Sequence, residues 1–372
     1  MKKMKKGLLV LSTGFLLFAA GCSCNNGDNG ETPPTVNYDE DKNYESYSSS
    51  LQGLYEESVK STVAVLAYAS GSDSPSLGTG VVYKQEGNYA YIATNAHVLI
   101  SKSSGGVVTD YTNRIEVVYS NYVRGRADFM AYDRNEDVAV LRIPVSSNYE
   151  VATIIEDDSA TDVGEAVYAI GNPHGQYFSM SEGIISASKI KTSVSYISQN
   201  NDATTFVYNS TATINAGNSG GPLFNAEGKV VAINSMYPND ANAAIPHRNF
   251  NYSIPAKHFI NVADFISKNG NNSYKRVSLS LSGWAIHEKP VATVQSASIT
   301  IKNGIYVTSS SYANVPANSS VITAIGGVEI RTMADLEYEL FTKYANSSSV
   351  QLTIKDRSGA NPRVETVSLI RN

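Results

Sequence analysis

Cysteine is nearly absent from this chain: two residues in 372, Cys22 and Cys24. No internal disulfide can brace anything beyond them, so any folded region must be held by buried apolar surface. Tryptophan occurs once, as Trp284, which reads as a packing residue. Histidine is scarce, and His174, His247, His258 and His287 show no ligand spacing; they read as surface or locally hydrogen-bonded side chains. There is no P-loop, zinc-spaced cluster or calcium loop, so neither a metal nor a cofactor is expected. An excess of positive charge is also missing. The net charge is −5, and removal of residues 1–21, which carry four Lys and no acid, takes it to −9. That balance argues against nucleic acid as a partner.

The N-terminus reads as a targeting segment. Lys2, Lys3, Lys5 and Lys6 precede an apolar stretch from Gly7 to Ala20 that is too short to span a bilayer comfortably. Ala19-Ala20-Gly21-Cys22 then has the form of a lipobox: small residues admit a lipoprotein signal peptidase, and the Cys22 thiol takes a diacylglycerol. A lipid anchor on the outer face of a bacterial cell membrane is the expectation; an ordinary secretory signal with an incidental cysteine is the alternative. Cys24 is either a free thiol or a second acylation site. Residues 22–50, rich in Asn, Gly, Asp, Glu, Ser and Pro, bury too little apolar surface to offset ordering entropy and read as a disordered tether.

Chemistry concentrates farther on. Asn215-Ala216-Gly217-Asn218-Ser219-Gly220-Gly221-Pro222-Leu223 places a serine among glycines, where a strained turn lets backbone N–H groups converge beside Oγ. Acyl transfer needs that arrangement, a nucleophile beside donors for an oxyanion, here Gly217, Asn218 and Ser219. Upstream, Ala93-Thr94-Asn95-Ala96-His97-Val98-Leu99 puts His97 just past a strand end. In Asp133-Arg134-Asn135-Glu136-Asp137-Val138-Ala139-Val140, Asp137 opens an apolar strand, so its carboxylate lies near a buried edge and needs a partner such as an imidazole N–H. The order His, Asp, Ser is that of chymotrypsin-type enzymes.

Those three blocks resemble the catalytic segments of the HtrA/Deg serine proteases. Ala169-Ile170-Gly171-Asn172-Pro173-His174-Gly175, Glu182-Gly183-Ile184-Ile185-Ser186-Ala187 and Asn251-Tyr252-Ser253-Ile254-Pro255 are similar to further segments of that family. The resemblance implies two six-stranded barrels over residues 51–270, with His97, Asp137 and Ser219 as catalytic residues in the cleft between them. It also implies an S1 pocket lined by Ile214, Asn215, Asn234, Ser235 and Met236, a homotrimer, and unfolded polypeptides as substrates. With no Asp at the pocket base, small or medium apolar P1 residues are expected. The polar segment from Lys189 to Thr205 falls where the family keeps its regulatory loop, and could equally be a passive one. Tyr237 to Asn242 should form another pocket wall, and Ser101 to Asn113 reads as a Gly-rich loop.

Short β-prone runs bounded by turn residues, such as Val63 to Tyr68, Gly78 to Tyr83, Ala166 to Ile170 and Val230 to Ile233, agree with a mainly β fold. A helix is expected over Leu51–Lys60 and another over Ala256–Asn269, ended by Gly270. Past a linker at Asn271-Asn272-Ser273, residues 271–372 resemble a degenerate PDZ domain, a small β-sandwich that binds peptide by strand addition. Its helix is expected over Met333–Tyr344, and its carboxylate-binding loop at Leu281-Ser282-Gly283-Trp284 departs from the usual pattern. The reading is an ATP-independent, membrane-anchored serine endopeptidase acting in envelope quality control. Alternatives are a catalytically silent chaperone or peptide-binding surface lipoprotein, and a narrow processing protease.

Overall fold

The computed structural model describes residues 50–104, 107–112, 114–156, 161–193, 204–236, 251–270 and 274–371. The targeting segment, the lipobox with Cys22 and Cys24, most of the tether, the linker at 271–273, the wall loop at 237–242 and His247 lie outside them.

The described chain opens with helix α1 (50–58), in agreement with expectation. A closed antiparallel barrel follows, built from β1 (Thr62–Tyr68), β2 (Ser76–Glu86), β3 (Tyr89–Thr94), β6 (Arg114–Val118), β7 (Arg124–Asp133) and β8 (Val138–Pro144), in the order β1-β2-β3-β8-β7-β6. The segment read as a Gly-rich loop is instead a hairpin, β4 (Ile100–Ser104) with β5 (Val107–Tyr111). The β-branched run Val107-Val108-Thr109 suits a paired strand better than a bare loop. β1 is buried on both faces. Val63, Val65 and Ala67 fill the barrel, while Ala64, Leu66 and Tyr68 form a second cluster under Leu77 and Tyr177. A strand that alternates between two apolar environments can be hydrophobic throughout.

The second barrel comprises β9 (Ala166–Gly171), β10 (Ser179–Ser193), β11 (Thr204–Ser210), β12 (Pro222–Asn225), β13 (Val230–Met236) and β14 (Asn251–Pro255), in the order β10-β11-β14-β13-β12-β9. β10 and β11 extend into the polar segment expected as a loop; residues 194–203 fall outside the described set. Helix α2 (Ala256–Asn269) buries Phe259, Val262, Ala263 and Ile266 and packs on both barrels, against β7, β8 and β13. Gly270, at φ +68°, ends it with its N–H on Ile266 O.

The C-terminal unit carries β15 (Val277–Ser278), β16 (Leu281–Ala285), β17 (Ile305–Ser310), β18 (Ser320–Ile325), β19 (Val328–Glu329), β20 (Ser349–Asp356), β21 (Arg363–Ser368) and β22 (Ile370–Arg371), with helices α3 (Val291–Ser296) and α4 (Met333–Lys343). Its main sheet runs β16-β17-β18-β20-β21. Gly326 and Gly327, at φ +53° and +84°, make the two-residue turn between β18 and β19. Leu281 to Trp284, expected as a ligand-binding loop, lies in strand β16 paired with β17. Trp284 packs on Tyr306, ring centroids 4.9 Å apart. α4 begins at a capping box in which Thr332 and Asp335 bond each other's backbone N–H.

α4 also docks the unit onto the second barrel. Phe206 of β11 lies edge-on to Tyr338 and Phe341, at 5.7 and 5.2 Å, and the Tyr208 and Tyr338 hydroxyls are 2.8 Å apart in a buried setting. Beside this contact lies His258 of α2, for which the sequence left open a surface or a locally hydrogen-bonded setting; it is not at the surface. It is fully buried, with Nε2 2.6 Å from Glu136 Oε2. Arg276 donates to both Glu136 oxygens, from Nε to Oε1 and from Nη2 to Oε2 at 2.6 Å. Burial works to raise the Glu136 pKa, but His258 and Arg276 outweigh it and hold it at about 2, against an ordinary 4.5. A depressed carboxyl pKa adds stability that is present above pH 4.5 and lost as pH falls toward 2. Glu136→Gln should therefore cost stability on the order of 3 kcal/mol near neutrality. Urea denaturation at a series of pH values should find that deficit shrinking between pH 4.5 and 2; a deficit independent of pH would contradict the ion-pair origin.

Candidate active site

The strand ends that face each other across the two barrels carry the candidate residues. β3 runs into a 3₁₀ turn over Ala96–Leu99, which presents His97. β8 begins just after Asp137, whose side chain is fully buried. His97 Nδ1 lies 2.9 Å from Asp137 Oδ2 and 3.1 Å from Oδ1, and the His97 backbone N–H donates to Oδ1 at 3.0 Å. A carboxylate only accepts, so Nδ1 carries the proton and Nε2 is the basic nitrogen. A third donor comes from the other barrel: Ser235 Oγ, on β13, bonds Oδ2 at 2.8 Å. Burial opposes the imidazolium of His97, but the Asp137 charge and hydrogen bond prevail and raise its pKa above 6.5.

Ser219 sits in the turn before β12. A single cavity of about 210 Å³ is lined by His97 and Ser219 together with Leu77, Ile214, Asn215 and Ser235. The Ser219 hydroxyl donates to Ser235 O at 3.0 Å. The turn needs its glycines. Gly217 has φ +108°, and a Cβ there would lie 2.1 Å from Asn172 O. Gly220 has φ +82°, and a Cβ would lie 2.2 Å from Thr94 Oγ1 and 2.4 Å from Thr79 O.

The turn's amides divide into two sets. Asn218 N–H donates to Asn215 O at 2.9 Å, so it is spent internally and does not serve as an oxyanion donor, unlike the sequence expectation. Among the described residues, the Gly217 and Ser219 amides have no acceptor in the protein. The carbonyl of the Ala216–Gly217 peptide accepts from His174 N–H at 2.9 Å. In a planar trans peptide this aims the Gly217 N–H the opposite way.

Of the expected pocket residues, Ile214, Asn215 and Ser235 line the cavity. Asn234 does not. Its buried side chain donates to Pro222 O at 3.2 Å and accepts from Ser253 Oγ at 3.0 Å, bracing the barrel interior because strand alternation points it away from Ser235. Met236 ends β13.

Two contributors escaped sequence reasoning, Thr79 and Asn172. Asn172 Nδ2 donates to Thr79 Oγ1 at 2.8 Å, and Thr79 Oγ1 donates to Gly217 O at 2.7 Å. Thr79 N–H reaches Ser219 O at 2.9 Å. Asn172 in turn accepts from Phe178 N–H at 3.1 Å. This relay ties β2 of one barrel to the serine turn of the other. Gly-Thr-Gly at 78–80 and Gly-Asn-Pro at 171–173 marked tight packing, but nothing local indicated that they meet.

The arrangement places a hydroxyl and an imidazole on one cavity, with a carboxylate buried behind the imidazole and two amides of the serine turn that have no acceptor among the described residues, as nucleophilic acyl transfer requires. Residues 78–233 match the family model described as a trypsin-like peptidase domain. The chain is similar to the serine protease Do-like HtrA of Lactococcus lactis subsp. lactis (strain IL1403), with 28% identity over 84% of this chain and 74% of the relative. It is also similar to the serine protease Do-like HtrB of Bacillus subtilis (strain 168), with 28% identity over 75% of this chain and 60% of the relative. Among solved structures it resembles the HtrA-type protease AlgW with tripeptide, at TM-score 0.57 and 20% identity, covering 86% of this chain and 97% of that one.

Two outcomes are expected from the geometry alone. NMR titration should find the His97 imidazole protonating above pH 6.5, with Asp137→Asn moving that value down. Gly217→Ala should disrupt the turn through its clash with Asn172 O; an unchanged amide spectrum around residues 217–221 would contradict the tight packing described.

Proposed function

Because the chain belongs to the HtrA family of serine proteases, we propose that it hydrolyses peptide bonds of unfolded polypeptides through Ser219, His97 and Asp137, working outside the cytoplasm from a lipid anchor at Cys22. The observation that carries this reading is the cavity shared by His97 and Ser219, with Asp137 buried behind the imidazole.

The Ser219 hydroxyl turns from Ser235 O toward His97 and attacks the substrate carbonyl as Nε2 takes its proton. The imidazolium so formed is stabilised by Asp137, then gives the proton to the leaving amine. The Gly217 and Ser219 amides receive the oxyanion, and losing one such donor costs about 2.7–4 kcal/mol of transition-state stabilisation. Water then releases the acyl group by the same steps in reverse. Ile214 and the absence of a carboxylate among the cavity residues support small or medium apolar P1 side chains. The run of Lys residues, the apolar stretch and Ala-Ala-Gly-Cys support acylation of Cys22. The edge position of β16 supports a PDZ-like role for the C-terminal unit in binding peptides. Tyr122, 67% exposed and stacked edge-on against Tyr177 and Phe178, offers an apolar contact for self-association, and a homotrimer is the assembly proposed from the family resemblance.

A fluorophosphonate should label the mature protein and fail to label Ser219→Ala, and casein hydrolysis should fall by several orders of magnitude in that variant. The acid limb of kcat/KM should have its midpoint above pH 6.5, since activity is lost as His97 takes up a proton. Absence of labelling with and without unfolded casein would instead favour a silent chaperone or peptide-binding lipoprotein.

A further inference from the structure

The residue just before Asp137 is as deeply buried as Asp137 itself. Glu136 is 1% exposed and Asp137 0%. Asp137 has φ +54°, a left-handed conformation that a residue with a Cβ adopts at a cost of order 1–3 kcal/mol unless its surroundings impose it. Part of what imposes it lies on the far side. Asn95 Nδ2 bonds Asp137 O at 2.9 Å, while the carboxylate is taken up by His97 and Ser235.

The near side is a turn locked by charge. Asp133, 2% exposed, accepts from the N–H groups of Asn135 at 2.8 Å, Glu136 at 3.1 Å and Tyr274. Glu136 then holds His258 of α2 and Arg276, which leads into the C-terminal unit. Arg276 lies over the Phe341 ring of α4, 4.9 Å from its centroid, and Asn261 of α2 donates to Phe341 O at 3.0 Å. The turn that delivers Asp137 is therefore pinned to α2 through His258 and, through Arg276, packed against α4, the helix that docks the C-terminal unit. The titratable groups facing Glu136 are His258 from α2, Arg276 and Tyr274 from the segment after it, and Asp133 from its own turn, with Glu337 and Arg371 farther out.

We propose that Glu136 is a positioning residue for the proteolytic reaction. Clamped by His258 and Arg276, it sets the backbone that aims Asp137 at His97, and it makes that aim depend on the seating of the C-terminal unit. The inference rests on the reading of Asp137 as the carboxylate that orients His97. A bidentate guanidinium–carboxylate pair fixes direction as well as distance, which a point charge does not. Arg276 is consequently the link whose geometry matters.

The test uses the full mature chain with Glu136→Gln, Arg276→Lys and Asp137→Asn, each titrated with a fluorophosphonate so that rates are per active site. Glu136→Gln should lower kcat about tenfold or more with KM within about twofold. It should also move the acid limb of kcat/KM downward, because a loosened Asp137 supports the His97 charge less well. Arg276→Lys, which keeps the cation but loses the fork, should show the same shift in smaller measure and carries the test should Glu136→Gln not fold. The two substitutions combined should cost little more than Glu136→Gln alone. A lowered thermal midpoint with per-site kcat and acid limb unchanged would overturn the proposal, leaving the network a purely structural brace. If Asp137→Asn itself left turnover unchanged, the underlying assignment of Asp137 would be the part that failed.

Discussion

A fully buried carboxylate between two barrels is the constraint on which the rest of this structure depends. Asp137 cannot be left in an apolar setting without hydrogen-bond donors. It takes them from the turn after β3, through the backbone and ring of His97, and from β13 of the opposite barrel, through Ser235. The donors come from two elements, one in each barrel, so the barrels must sit in one mutual arrangement for the carboxylate to be satisfied. The imidazole is oriented as a consequence, and its raised affinity for a proton follows from the same charge.

The serine turn is registered to this centre by neutral hydrogen bonds. Thr79 receives Asn172 and reaches both Gly217 O and Ser219 O, so β2 holds the turn that belongs to the other barrel. The glycines let this happen, because the Gly217 and Gly220 positions touch neighbouring backbone where no Cβ fits. Packing explains the cross-barrel contacts better than local propensity does. β8 sends Val138 and Val140 into one core and Ala139, Leu141 and Ile143 into the other, and so delivers Asp137 between them.

The C-terminal unit is joined to this frame by aromatic packing rather than by a broad polar surface. Phe206, Tyr338 and Phe341 share one apolar cluster although they come from opposite sides of the linker. Glu136, His258 and Arg276 form a charged knot beside it. A buried ion network of this kind is weak evidence for net stability, but it specifies one geometry strongly, since each charge is costly without the others.

Much of this was legible in the sequence, and for a physical reason: alternation, apolar runs and glycine strings are local properties. They marked several strands of each barrel, the bounds of α2, and His97, Asp137 and Ser219 as residues at strand ends and turns, but not β6, β7 or β12. The hairpin at 100–111 and the strand at Leu281–Ala285 were misread as loops, because short polar or Gly-containing segments acquire strand character from a partner they do not specify. His258 read as a surface or locally hydrogen-bonded residue because nothing near it in sequence foretells a carboxylate 122 positions away. The sequence by itself determined which groups could do chemistry and the class of fold that carries them. Tertiary structure alone decided that Ser235 serves Asp137, that Asn218 spends its amide within the turn, that Asn234 faces inward, and that Glu136 meets Arg276. Each of those depends on contacts between elements distant along the chain, where closure of both barrels, and not any local preference, sets which atoms come within hydrogen-bonding distance.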